Sequence, residues 1–130
     1  MNVLHVLDGL NFGGIEMQAF EIIKNFPKKG NHNFLLNTSP KLNDLNEKFN
    51  ELSKNKTLNK IEDVNKNSPF FLIYSVFKFC KKNRIDSLII YPCNSKMLYS
   101  ILGAKLAGVN NIFIHLGNRY VNSNTIANLK

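Results

Sequence analysis

Gly13 and Gly14 follow a run of branched apolar residues, Val3-Leu4-His5-Val6-Leu7, and directly precede a helical pattern that opens at Ile15. Paired glycines let a backbone turn sharply and approach a ligand closely, because no Cβ intervenes. A helix beginning there aims unbonded N–H groups and its positive dipole end into the loop. An anion held at such a point gains about 0.3–1 kcal/mol, more when partly buried. The chemistry these residues suit is phosphate binding; the bland use of the same pair is a tight strand-to-helix turn. Glu16 in the first helical turn reads first as a capping carboxylate and second as a substrate contact. A carboxylate there also cancels part of the dipole's attraction for phosphate.

His115 is the imidazole best placed for chemistry, because it closes the apolar run Ile112-Phe113-Ile114 at a strand end. Its alternative role is a local hydrogen bond. His5 lies inside a strand pattern and reads as a packed core residue, whereas His32 opens a strand and reads as solvated. Asp8 reads as a turn-stabilising or loop-orienting residue rather than a base. Cys80 and Cys93 form no CxxC pair and fit no metal-ligand spacing.

These residues need elements to hold them. The first strand covers Val3 to Leu7, and the first helix about Ile15 to Phe26, ended by Pro27. A second strand follows at about His32 to Asn37. Ser39-Pro40 signals the start of a thinly amphipathic helix carrying Leu42, Leu45, Phe49 and Leu52. A weak third strand is expected near Thr57 to Ile61. Ser68-Pro69 repeats the cap-and-proline signal and opens a helix from Phe70 to about Asn83. Its apolar residues run nearly all the way round, which predicts a well-buried helix. Ser87 to Tyr91 is the fourth strand, Lys96 to Ala107 the fourth helix, closed by Gly108, and Asn111 to His115 the fifth strand. The tail from Leu116 to Lys130 is only weakly helical.

Strands alternating with helices predict an α/β fold: a Rossmann-like, three-layer α/β/α domain over residues 1–130, with a parallel sheet of about five strands. Such sheets bind ligands beyond the C-terminal strand ends, at the point where strand order reverses. That rule selects four loops: Asp8 to Gly14, Asn37 to Pro40, Tyr91 to Ser95 and His115 to Arg119.

Composition bounds the partner. The 130-residue chain carries 17 Lys and Arg against 9 Asp and Glu, a formal charge of +8 that favours anionic partners. Lysine and asparagine are abundant throughout, so coding bias is a competing explanation. Nucleic acid is not expected as a partner: there is no recognised motif and the aromatics fall mostly in predicted core segments. No signal peptide is visible, and the longest mostly apolar run, Phe70 to Phe77, is too short for a bilayer span. The reducing cytosol is the expected compartment.

Several nucleotide-binding patterns fail to fit. Gly9, Gly13 and Gly14 do not have G-x-G-x-x-G spacing, and Asn37-Thr38-Ser39 places no carboxylate after the second strand for a ribose. No Gly-Lys-Ser/Thr follows the first loop, as a P-loop requires. Asp8 lacks the neighbouring acid of a signalling receiver.

A different likeness emerges at these residues. Val3-Leu4-His5-Val6-Leu7 followed by Gly13-Gly14-Ile15-Glu16 resembles the opening of the N-terminal domain of GT-B glycosyltransferases of the large retaining family 4. Ser100-Ile101-Leu102-Gly103-Ala104-Lys105-Leu106-Ala107-Gly108-Val109 is similar to that family's helix ending before a strand that closes on histidine, here Ile112 to His115. The resemblance covers nearly the whole chain through three weak motifs in the right order.

The resemblance implies the following. Gly13 and Gly14 would bring main-chain N–H groups near a nucleotide-sugar donor's diphosphate, and His115 would sit beside the transferred sugar. Asn118 and Arg119 would face the cleft, Arg119 meeting an anionic acceptor, a glycan or a lipid-linked one, in cell-surface glycan synthesis. No cofactor or metal is expected beyond the donor itself. A second, donor-binding Rossmann domain supplies most of the nucleotide site in this family, so a chain ending at Lys130 is expected to be truncated and inactive alone, or completed by a separate chain.

Lys81, Lys82 and Arg84 read as a solvated helix end. Their functional alternative is a peripheral contact with the inner face of the membrane, with Phe77 and Phe79 near the interface. The rival reading for the whole chain is a non-catalytic domain that binds a phosphorylated ligand or an anionic membrane surface.

Overall fold

The computed structural model describes residues 1–10, 14–25, 30–39, 44–64, 68–91 and 95–115. Gly13, Pro40, Cys93, Asn118 and Arg119 lie outside the described residues, as does the whole tail from 116 to 130. The elements alternate strictly: β1 (Asn2–Leu7), α1 (Gly14–Asn25), β2 (His32–Asn37), α2 (Asn46–Lys54), β3 (Lys60–Asp63), α3 (Pro69–Lys82), β4 (Ser87–Ile90), α4 (Ser95–Leu106) and β5 (Asn111–Ile114). The sheet runs in the order β3-β2-β1-β4-β5, and every pairing in it is parallel. This is the expected Rossmann-like α/β/α architecture.

Strand alternation sorts the core into two layers. Leu4, Val6, Leu36, Leu88 and Ile90 face α3 and α4. Leu7, Leu35 and Tyr91 face α1 and α2, whose Ala19, Ile23, Phe49 and Leu52 fill that side. β1 is central, buried on both faces, and for that reason reads as a continuous apolar run.

Three helix ends close the same way. The N–H of Val109 bonds Ala104 O at 3.0 Å, that of Ile85 bonds Cys80 O at 3.0 Å, and that of Thr57 bonds Leu52 O at 2.9 Å. Each turn needs one residue in the left-handed region. Gly108 (φ +91°) meets the requirement without strain, while Arg84 (φ +52°) and Lys56 (φ +62°) meet it with side chains attached.

Some elements differ from expectation. Among the described residues α2 begins at Asn46, and the Ser39 hydroxyl, expected to cap a helix, bonds Asp8 Oδ1 at 2.5 Å instead. β3 (Lys60–Asp63) overlaps the expected Thr57–Ile61 at Lys60 and Ile61 but starts later, since the N–H groups of Thr57 and Leu58 are both spent on Leu52 O. α3 is not well buried all round: Leu72, Val76, Phe79 and Cys80 turn inward, whereas Phe70 is 82% and Tyr74 56% exposed. Phe79, expected near a membrane interface, packs edge-on against Phe34 instead. Burial pushes the Cys80 thiol up to about 12, so it stays protonated and inert.

α3 and α4 pack closely through Gly103. A Cβ there would stand 2.5 Å from Ile73 O, 2.9 Å from Val76 Cβ and 3.2 Å from Phe77 N. Helix propensity alone favours Gly103→Ala by about 1 kcal/mol. The backbone clash outweighs it, since overpacking costs about 1–3 kcal/mol and backbone yields less readily than a side chain. Gly103→Ala is therefore expected to lower the urea midpoint at unchanged slope; a raised midpoint would refute the close packing.

Candidate functional site

Strand order reverses between β1 and β4, and the helices that follow them, α1 and α4, pack on opposite faces, the arrangement that defines a crevice at the C-terminal rim. Asn37, at the end of β2, organises the first loop. Its Oδ1 accepts the N–H of Gly9 at 2.9 Å and of Ser39 at 3.0 Å. Gly9 takes φ +93°, a conformation a side chain would oppose. With the loops so held, Asp8 Oδ1 accepts the Ser39 hydroxyl at 2.5 Å and lies 3.0 Å from Thr38 Oγ1.

The crevice is bridged by an ion pair. Lys96 Nζ, from the first turn of α4, donates to Asp8 Oδ1 at 2.7 Å, Ser39 Oγ at 2.9 Å and Thr38 O at 3.2 Å. The side chains are 22% (Lys96) and 26% (Asp8) exposed, so water screens the pair only in part. Asp8 thus braces three loops, in keeping with a turn-stabilising role. Sequence reasoning passed over Lys96, although a signal existed: a cation in a helix's first turn opposes the dipole and calls for an anion nearby.

Below the crevice lies a chain of directional hydrogen bonds. Asn33 Nδ2 donates to Thr57 O at 3.5 Å, which turns Asn33 Oδ1 toward His5 Nε2 at 3.0 Å. An amide oxygen only accepts, so Nε2 carries the proton and Nδ1 accepts the Tyr91 hydroxyl at 2.8 Å. His5 is fully buried, and desolvation lowers its pKa to about 4 despite the opposing bond to Asn33. It is a core histidine held neutral. Burial likewise raises the Tyr91 pKa, keeping that hydroxyl a donor.

The Tyr91 ring leads to His115, 5.2 Å away between centroids. The His115 N–H bonds Ile90 O at 2.8 Å, which extends the β4–β5 pairing by one residue. Its Nε2 lies 2.6 Å from Gln18 Oε1, so Nε2–H donates and Nδ1 remains an acceptor in the neutral ring. Desolvation lowers this pKa too. Gln18 is one helical turn beyond Gly14 on α1, so the bond draws the β5 end and the α1 mouth to one rim.

Of the site residues expected from sequence, Gly14, Glu16 and His115 are described, and all three belong to this rim. Gly14 is exposed, and a Cβ on it would meet nothing within 4 Å. Its conformation and packing do not demand glycine, and the space beside it is open. Glu16 is half-buried in the first turn of α1. Gln18, Tyr91 and Asn33 were not singled out from sequence; each acts across a long stretch of chain that no local pattern reports. Among the described residues no three His, Cys, Asp or Glu side chains gather as a metal set. A groove of about 440 Å³ between β3 and α3, lined by Glu62, Asp63, Phe71, Lys78 and Lys82, lies at the sheet's edge, away from the crevice.

No protein-family model matches the chain, and no curated protein matches it in sequence. Solved structures do resemble it. A glycosyltransferase from Rickettsia africae ESF-5 superimposes with TM-score 0.65 at 20% identity, over 98% of this chain and 32% of that one. The C-terminal domain of PF1911 hydrogenase from Pyrococcus furiosus gives TM-score 0.65 at 17% identity, over 88% of this chain and 90% of that domain. UDP-GlcNAc 2-epimerase from Neisseria meningitidis, bound to UDP-GlcNAc, gives TM-score 0.60 at 16% identity, over 96% and 35%. The chain spans about a third of the glycosyltransferase and of the epimerase. At these identities the likeness establishes a shared fold.

Two predictions follow from the geometry. His5 is neutral when folded down to about pH 4 but titrates near 6.5 when unfolded. The unfolded chain therefore binds the extra proton in that window, and stability falls as pH drops from 6.5 toward 4, by up to about 3 kcal/mol. His115 acts in the same direction. In urea titrations at pH 7 and 4.5, His5→Gln is expected to lose less stability on acidification than the parent; an equal loss would refute the assignment. Separately, Asp8→Asn and Lys96→Met should each cost roughly 1–2 kcal/mol. The double variant should lose less than their sum, and strict additivity would exclude a coupled pair.

Proposed function

We propose that the chain is the N-terminal, acceptor-side domain of a GT-B-type glycosyltransferase that takes sugar from a nucleotide-sugar donor. The observation that carries this reading is the bond between His115 and Gln18, which places the imidazole at the glycine-fronted mouth of α1. Support also comes from the family 4-like motifs and from a fold shared with a glycosyltransferase and a UDP-GlcNAc epimerase. A helix mouth suits a diphosphate and a neutral imidazole suits sugar hydroxyls, so the rim's residue types favour this reading over the one suggested by the hydrogenase domain.

In the proposed reaction the bond from the anomeric carbon to the diphosphate oxygen breaks as one forms to an acceptor hydroxyl oxygen. Negative charge builds on the leaving group, and the departing diphosphate takes the hydroxyl's proton. Main-chain N–H groups of Gly13 and Gly14 are proposed to offset that charge. His115, its tautomer set by Gln18, accepts a hydroxyl hydrogen bond from the transferred sugar at Nδ1. Asn118 and Arg119 are proposed to contact a glycan or lipid-linked acceptor, and Glu16 to contribute beside them. A second Rossmann domain supplies most of the nucleotide contacts, so turnover requires it in the same chain or in a partner.

The test joins the chain to a donor-binding Rossmann domain and follows nucleoside diphosphate release. His115→Ala is expected to lower kcat by about a hundredfold or more. Gly14→Val should lower kcat/KM with no loss of thermal stability, because the added side chain enters open space. Parental rates in both variants would reject the assigned site.

A further inference from the structure

The two faces of the sheet differ in charge. α1 and α2 carry Glu16, Glu21, Glu47 and Glu51 among their lysines. α3 and α4 carry Lys78, Lys81, Lys82, Lys96 and Lys105 and not one carboxylate. Lys96 is engaged with Asp8 at the crevice; the other four are exposed, Lys78 and Lys82 on the side of α3 that also borders the groove with Glu62 and Asp63.

The outer face of these two helices is apolar where it should be polar. Leu98, Leu102 and Leu106 recur every fourth residue along α4 and are 61%, 48% and 60% exposed. Phe70 and Tyr74 continue the patch on α3. A shallow trough of about 300 Å³ runs between the helices, lined by Phe70, Ile73, Tyr74, Phe77 and Leu106. The close contact at Gly103 holds the two helices as one plate. Scattered exposed leucines need no explanation, but a leucine row on α4 whose Leu106 shares a trough with Phe70 and Tyr74, set among cations, does.

We propose that the outer face of α3 and α4 is a docking surface for an anionic lipid bilayer. Its aromatic and leucine side chains would enter the headgroup–acyl boundary, with Lys78, Lys81 and Lys105 meeting the lipid phosphates. Charge complementarity selects this occupant: a second copy docking face to face would set lysines against lysines with no carboxylate between them. No helix among the described residues is long and apolar enough to cross a membrane, so the contact is peripheral. The inference is independent of the sugar-transfer reading, since no residue of the crevice takes part.

Co-sedimentation of the 130-residue chain with vesicles decides the matter. It should pellet with phosphatidylcholine–phosphatidylglycerol vesicles and not with phosphatidylcholine alone. Raising salt from about 0.1 M to 1 M, which shortens the screening length from about 10 Å to 3 Å, should release it. At about fivefold per lysine, combined Lys78→Gln, Lys81→Gln and Lys105→Gln should weaken binding on the order of a hundredfold. Phe70→Ser with Leu102→Ser should abolish it while the far-ultraviolet spectrum and Tm persist, because both side chains lie outside the core. Equal pelleting on neutral vesicles, or a lysine variant that binds like the parent, overturns the proposal. So does a dimer in solution that Leu102→Ser disrupts and that binds no vesicles.

Discussion

β1 is hydrogen-bonded to β2 along one edge and to β4 along the other, and both of its faces are covered. A strand so enclosed has no water to satisfy a polar side chain, yet it contains His5. The imidazole is tolerated because Asn33 and Tyr91 engage both ring nitrogens, and because it gives up its charge. That requirement fixes more than His5 itself. It sets Asn33 on β2, ties the end of β4 inward through Tyr91, and so brings the Tyr91 ring against His115. The crevice floor is thus a by-product of keeping one buried imidazole neutral.

Above that floor the rim is organised by a different force. Asp8 and Lys96 approach from opposite sides of the reversal in strand order, and the Asn37 amide holds the loops between them. The pair is partly shielded and hydrogen-bonded on several sides, which distinguishes it from an exposed pair such as Lys60–Glu62 at 3.7 Å. One anion and one cation cancel at the crevice mouth. Among the described residues, the helix end at Gly14 then remains a local source of positive potential.

The layout was legible where local pattern and tertiary environment agree. β2 matches its expected span, and β1, α1, β4, α4 and β5 lie within a residue or so of theirs, because strand runs and helical stripes were bounded by turn residues. Disagreement arose where a side chain had a distant use. Ser39 resembles a helix cap but bonds Asp8, and Arg84 and Lys56 occupy turns where a glycine would have announced the ending. The apolar residues of α3 implied burial, whereas the sheet has room to cover only one side of the helix. At the site, strand-end position singled out His115, and the glycine pair ahead of a helix singled out Gly14. Their supporting residues, Gln18, Tyr91 and Lys96, depend on pairings across 97, 86 and 88 residues, which lie beyond any local signal.

Those separations also order events while the chain is being made. The central strand leaves the ribosome before the other four, yet one of its edges stays open until Ser87 to Ile90 emerges. Asp8 gains Thr38 and Ser39 after 30 and 31 residues but waits 88 residues for Lys96. At about 5–20 residues per second that interval is roughly 4–18 s, during which its carboxylate stays in water. A nascent chain arrested before α4 would hold most of a sheet and no completed crevice.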